Sequence, residues 1–116
     1  MYYISKRMEI AGAHKLDLPY ESKCQNIHGH NWIVKIYCKS EELTNYGMIV
    51  DFKKVKDTIQ DVLDHSFINE KTKPLNPTAE NIAKWICDKV DDICETGECY
   101  KVSVQESEGN VAIYER

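Results

Sequence analysis

A chain of 116 residues, 42% apolar and 29% charged, fits one globular domain over residues 1–116, long enough to bury roughly two thirds of the surface that its unfolded form exposes. A net charge of −4 argues against a nucleic-acid partner, and no apolar run approaches the ~20 residues of a membrane span. Five cysteines without a Cys-x-x-Cys pair argue against a zinc ribbon or a thioredoxin-like site, and Met1–Arg7 lacks the basic-then-apolar order of a secretory signal, so reduced thiols and a cytoplasmic location are expected.

In chain order, Tyr2, Ile4, Lys6, Met8, Ile10, Gly12 and His14 share one parity against Ser5, Arg7 and Glu9, which predicts a half-buried strand ending at His14. Residues 15–27, with Pro19 and Asn26, read as a long loop carrying Cys24. His30, Trp32, Val34, Ile36 and Cys38 predict a second strand, with His28 continuing its apolar face. Phe52, Val55, Ile59, Val62 and Leu63 then recur at helical spacing, with Asp51 as N-cap and a stop near Asp64-His65. After a loop over 69–78, Asn76 or Thr78 caps a second helix whose apolar stripe is Ala79, Ile82, Ala83, Ile86, Val90 and Ile93. Tyr100, Val102, Val104 and Glu106 predict a third strand with one shared face, and Val111–Tyr114 a fourth in a hairpin. The order ββααββ predicts an α+β fold, an antiparallel sheet with both helices on one face.

The chemistry concentrates between His14 and His30. His28 and His30 point the same way only on a strand, and with His14 they make three candidate metal ligands. Any one of them alone reads as a core or loop histidine. Three that converge without a fourth protein ligand match a catalytic zinc site, in which an open position takes water or substrate. Cys24 is either a small buried residue or, beside Lys23 and a cation, a thiolate able to accept a proton. Asp64-His65 is either a helix terminus or a proton relay. Glu106 faces the buried side, where an unpaired carboxylate is costly; a lysine, backbone amides or the two parallel N–H donors of a cyclic guanidine-like ligand would satisfy it.

Six ordered blocks carry a resemblance: Ala13-His14, Cys24 ahead of His28-Gly29-His30, Gly47-Met48-Ile49-Val50-Asp51-Phe52, Leu63-Asp64-His65, Asn76-Pro77-Thr78-Ala79-Glu80-Asn81 and Glu106. Together they resemble the 6-pyruvoyl-tetrahydropterin synthase superfamily over the whole length. The three-residue gap between Cys24 and His28 is most like the bacterial branch that makes 6-carboxy-5,6,7,8-tetrahydropterin in the queuosine pathway. The resemblance implies a T-fold and a homo-oligomer, commonly a hexamer of stacked trimers with active sites at subunit interfaces. It implies that His14, His28 and His30 hold Zn2+, that Cys24 accepts a proton with Asp64 and His65 as relay partners, that Glu106 anchors the pterin, and that Thr78 and Glu80 lie near it. The implied reaction is a lyase step on 7,8-dihydroneopterin triphosphate that releases triphosphate and acetaldehyde. A pyruvoyl product, or a non-catalytic pterin- or metal-binding module of the same fold, are the alternatives. One departure is visible, Gly12 where the family commonly carries alanine.

Overall fold

The computed structural model describes residues 1–116. The elements are β1 (Tyr2–His14), a 3-10 turn (Lys23–Gln25), β2 (His28–Ser40), α1 (Phe52–Leu63), β3 (Ser66–Phe67), α2 (Ile68–Lys71), α3 (Ala79–Ile93), β4 (Glu98–Ser107) and β5 (Asn110–Glu115). One sheet forms in the order β3-β1-β2-β4-β5. Its body is the antiparallel β1–β2 pair, thirteen residues long on each strand, registered from Tyr2 opposite Ser40 to His14 opposite His28. Alternation works as the sequence predicts: Met8 and Ile10 of β1 and Trp32, Val34, Ile36 and Cys38 of β2 are buried, and they pack with Val55, Ile59 and Leu63 of α1 and Ile82, Ala83, Ile86 and Val90 of α3. Tyr2, placed on the same parity, is half exposed. No helix is long and apolar enough to cross a membrane.

The caps follow the sequence reading at α1, where the Asp51 side chain accepts from the Lys53 amide. At α3 the cap is Thr78, which accepts from the Asn81 amide. Asn76 has another task, described below.

The sheet departs from the expected pattern in three places. β3 runs parallel to β1, pairing Gly12 with Ser66 and Ala13 with Phe67, so the sheet is not wholly antiparallel. Directly before it the chain turns at His65, whose φ of 55° is left-handed, and the His65 amide donates to the Ala11 carbonyl. A third helix, the single turn α2, occupies part of the predicted loop, and its Ile68 fills the space above Gly12: a Cβ there would lie 2.9 Å from Ile68 Cδ1. β4 carries a bulge. Tyr37 pairs with Lys101 and Cys38 with Cys99, so Tyr100 is the extra residue. Tyr100 therefore does not share the face of Val102 and Val104 as predicted; it meets Tyr3, Tyr37 and Lys39 on the uncovered face.

Candidate metal centre

The two long strands bring the three histidines together at one end of the sheet. His14 and His28 are cross-strand partners, and His30 sits opposite Gly12, two residues further along the same face. The ring centroids are 4.5 Å apart for His14 and His28, 5.2 Å for His14 and His30, and 4.9 Å for His28 and His30. Trp32 is the floor. It is fully buried, its indole N–H donates to the Gly12 carbonyl, and both His14 and His30 stack edge-on to it at 4.8 and 5.2 Å.

Hydrogen bonds on the far side of two rings decide which nitrogen faces inward. His14 Nδ1 donates to the Pro77 carbonyl at 2.8 Å, and His28 Nδ1 donates to the Asn26 carbonyl at 2.7 Å. Each leaves Nε2 with its lone pair available, the arrangement typical of metal-bound imidazole. Burial pushes the His14 pKa below its usual range, favouring the neutral ring a ligand must be; the Pro77 bond opposes this, and the neighbouring His28 reinforces it.

The Glu106 carboxylate reaches into the same group. Its Oε1 is 3.3 Å from His14 Nε2 and 3.6 Å from His30 Nε2, and the ligand atoms of His14, His28, His30 and Glu106 all lie within 4.8 Å of one another. His14 Nε2 and His30 Nε2 are buried without a hydrogen-bond partner. Two orphaned ring nitrogens beside a carboxylate fit a divalent cation, which needs donor atoms about 3.4 Å apart when four nitrogens or oxygens surround it at about 2.1 Å. Glu106 also borders a cleft of about 350 Å³ with Ala79, Glu80, Asn110 and Val111. It is free to turn there because β4 and β5 lose register between Gln105 and Ser107, so Glu106 stands in a second bulge.

The other predicted site residues are dispersed. Cys24 lies half-buried in the 3-10 turn, which Ser22 and Gln25 close reciprocally as a capping box. It is not one of the four donors. Its loop is held by two asparagines that imitate strand pairing: Asn69 bonds both the amide and the carbonyl of Lys15, and Asn76 does the same for Asp17. The Leu16 amide donates to the Cys24 carbonyl, which ties the turn to the start of the loop. Cys38, Cys87 and Cys99 are buried, and desolvation pushes the Cys87 thiol up to about 12, which makes it a poor nucleophile.

Asp64 and His65 stand beside the other face of the sheet. Asp64 Oδ1 accepts from the Ala11 amide, its Oδ2 is 3.6 Å from His65 Nε2, and the His65 side chain is 84% exposed. His65 lines a cleft of about 520 Å³ with Ala11, Ala13 and Asn31, whose parity is opposite to that of His14 and His28, and with His30 of the donor group. Within one chain no hydrogen bond or ion pair links the pair to the four-donor group. Thr78 is the cap of α3, one residue beyond the Pro77 carbonyl that fixes His14, and Glu80 is exposed at the rim of the Glu106 cleft. Sequence reasoning missed Trp32 as the floor and the carbonyls of Pro77 and Asn26 as tautomer anchors. Parity did place Trp32 next to His30, whereas a backbone carbonyl leaves no mark in the side-chain pattern.

The chain is similar to known proteins over nearly its full length. A 6-carboxy-5,6,7,8-tetrahydropterin synthase of Synechocystis sp. is 31% identical over 122 residues, covering 98% of this chain and 93% of that protein. One from Bacillus subtilis is 28% identical over 123 residues, covering 97% and 84%. The structure of Caenorhabditis elegans 6-pyruvoyl tetrahydropterin synthase has the same fold, with a TM-score of 0.78 at 24% identity over 99% of this chain and 95% of that one. The sequence profile for 6-pyruvoyl tetrahydropterin synthase matches residues 3–116. The chain belongs to the 6-pyruvoyl tetrahydropterin synthase family.

Proposed function

We propose that this chain is one catalytic domain over residues 1–116, a zinc-dependent carbon–oxygen lyase that converts 7,8-dihydroneopterin triphosphate to 6-carboxy-5,6,7,8-tetrahydropterin on the route to queuosine. Atom balance requires one water in and triphosphate and acetaldehyde out. The observation that carries the reading is the group of three imidazoles, two of them with orphaned Nε2 atoms, opening at Glu106 onto a cleft. Full-length similarity to 6-carboxytetrahydropterin synthases selects the substrate class.

His14, His28 and His30 hold the ion. When bound, zinc supplies Lewis acidity to the hydroxyls of the substrate side chain. Glu106 receives the donor edge of the pterin ring in the bidentate manner of a carboxylate facing a guanidinium, so the side chain is oriented toward the histidines. Thr78 and Glu80 border the ring. Cys24, on its clamped loop, accepts the side-chain proton, and His65, oriented by Asp64, delivers a proton at the next carbon.

Because no hydrogen bond or ion pair joins Asp64 or His65 to the donor group within one chain, the relay is supplied by a neighbouring copy. Homo-oligomerisation, as a hexamer of stacked trimers, is supported by the sheet face that no helix covers and by the β5 edge, where Val111 and Ile113 are exposed. A cytoplasmic location follows from the same reading.

The test is incubation of zinc-loaded protein with 7,8-dihydroneopterin triphosphate, followed by mass spectrometry. Triphosphate, acetaldehyde and 6-carboxytetrahydropterin are expected. A 6-pyruvoyl product reassigns the chain to the pyruvoyl branch, and substrate binding without release of triphosphate makes it a non-catalytic module.

A further inference from the structure

The Glu106 carboxylate occupies a position that an anchor for the pterin ring alone does not explain. With Nδ1–H committed to Pro77, His14 turns a lone pair toward Glu106 Oε1 at 3.3 Å, and His30 Nε2 approaches the same oxygen at 3.6 Å. Two acceptors, the His14 Nε2 lone pair and the Glu106 oxygen, repel at this distance unless a cation lies between them, and His30 Nε2 is buried beside them without a hydrogen-bond partner. The same carboxylate is 29% exposed on its other side, where it borders the cleft with Glu80 and Asn110. Its backbone sits in the bulge between β4 and β5, which releases it from strict ladder geometry. Glu106 is therefore placed between two sites and within reach of both.

We infer that Glu106 is an exchangeable ligand: in the pterin-free protein its carboxylate completes the metal site as fourth donor beside His14, His28 and His30, and it leaves that position to bind the ring when a pterin enters. This rests on the proposed metal site and pterin cleft. The exchange gives order to binding, because the position needed by the substrate hydroxyls becomes open only when the ring has drawn the carboxylate away. It also keeps the pterin-free ion coordinatively closed, with one negative charge offset against it. No bond to carbon is made or broken; one metal–oxygen contact is replaced by two N–H···O hydrogen bonds.

The test uses cobalt(II) in place of zinc, because its visible ligand-field spectrum reports coordination. In the full-length oligomer without pterin, Glu106→Gln is expected to shift the spectrum and to raise the metal Kd, measured by chelator competition, by about tenfold or more. Titration of the unsubstituted cobalt protein with 7,8-dihydroneopterin is expected to move its spectrum away from the pterin-free form, a readout that needs no variant. Identical pterin-free spectra and equal metal Kd for the two proteins overturn the inference, as does an unsubstituted spectrum that saturating pterin leaves unchanged. Product analysis is separate: spectral exchange without product defeats the lyase reading and leaves Glu106 as the exchangeable ligand, whereas product without exchange does the reverse.

Discussion

At the residue scale the contrast is between groups that hold the ion and groups that move protons. Cys24 lies outside the donor set, so Cys24→Ala is expected to reduce kcat by at least about 100-fold while zinc content by metal analysis stays at the unsubstituted level. Loss of zinc in that variant would remove Cys24 from the proton-transfer role. His14 gives a pH prediction for the metal-free protein. Its pKa is held below the ordinary value of about 6.5, chiefly by burial, so the unfolded chain takes up a proton first as the pH falls. The stability it contributes is present above about pH 6.5 and is lost as the pH drops through the lower folded value. Thermal melts of metal-free protein should show Tm decreasing between about pH 7 and about pH 5, with a shallower slope in His14→Asn. Histidine parity was legible in the sequence because period-two alternation is unambiguous on a thirteen-residue strand. The inward-facing nitrogen was not, because it is chosen by main-chain carbonyls at Pro77 and Asn26 that are distant from, or only loosely linked to, the strand pattern.

At the element scale, the long strands and helices followed from their apolar spacing, and the short pieces did not. β3 has two residues and α2 one turn, too few for a period to be counted, and both exist because the left-handed turn at His65 redirects the chain along β1. The connection from α3 to β4 is more constrained than its sequence suggests. Gly97 has a φ of 67°, and a Cβ there would lie 2.0 Å from the Lys39 carbonyl oxygen and 2.5 Å from Ser40 Cβ. Gly97→Ala should therefore lower stability by about 2 kcal/mol or more in denaturant melts, since both the backbone angle and the contact resist it. Thr78→Ala removes the cap of α3 and should cost about 1 kcal/mol. It should also raise the metal Kd if the cap steadies the adjacent Pro77 carbonyl, which chelator competition measures.

At the scale of the whole molecule, one sheet with helices on a single side leaves its other face and its β5 edge without cover. The division of the proposed machinery across that sheet is its largest functional consequence. Sequence order placed Asp64-His65 at the end of α1, as found, but could not show which side of the sheet they serve, because that depends on a turn rather than on alternation. If a site joins Cys24 of one copy to His65 of another, mixing inactive Cys24→Ala and His65→Ala proteins after dissociation should restore roughly a quarter of the unsubstituted activity, the share of sites in which both contributors are intact. No recovery would place all catalytic groups within one chain. Zinc removal by chelation should lower Tm in the unsubstituted oligomer, and added zinc should restore it.

The extra residue in β4 has a consequence for the chemistry six residues away, at Glu106. Were Tyr100 paired in ordinary alternation beyond Cys38 and Cys99, every following side chain would change sides: Lys101, Ser103 and Gln105 would face the helices, and Val102, Val104 and Glu106 the open face. The donor set would then receive a neutral carboxamide in place of its carboxylate. The bulge at Tyr100 thus sets the phase that joins Cys99 to Val102, Val104 and Glu106 on one face, and deleting Tyr100, which leaves Lys101 opposite Tyr37, is expected to preserve the metal Kd measured by chelator competition.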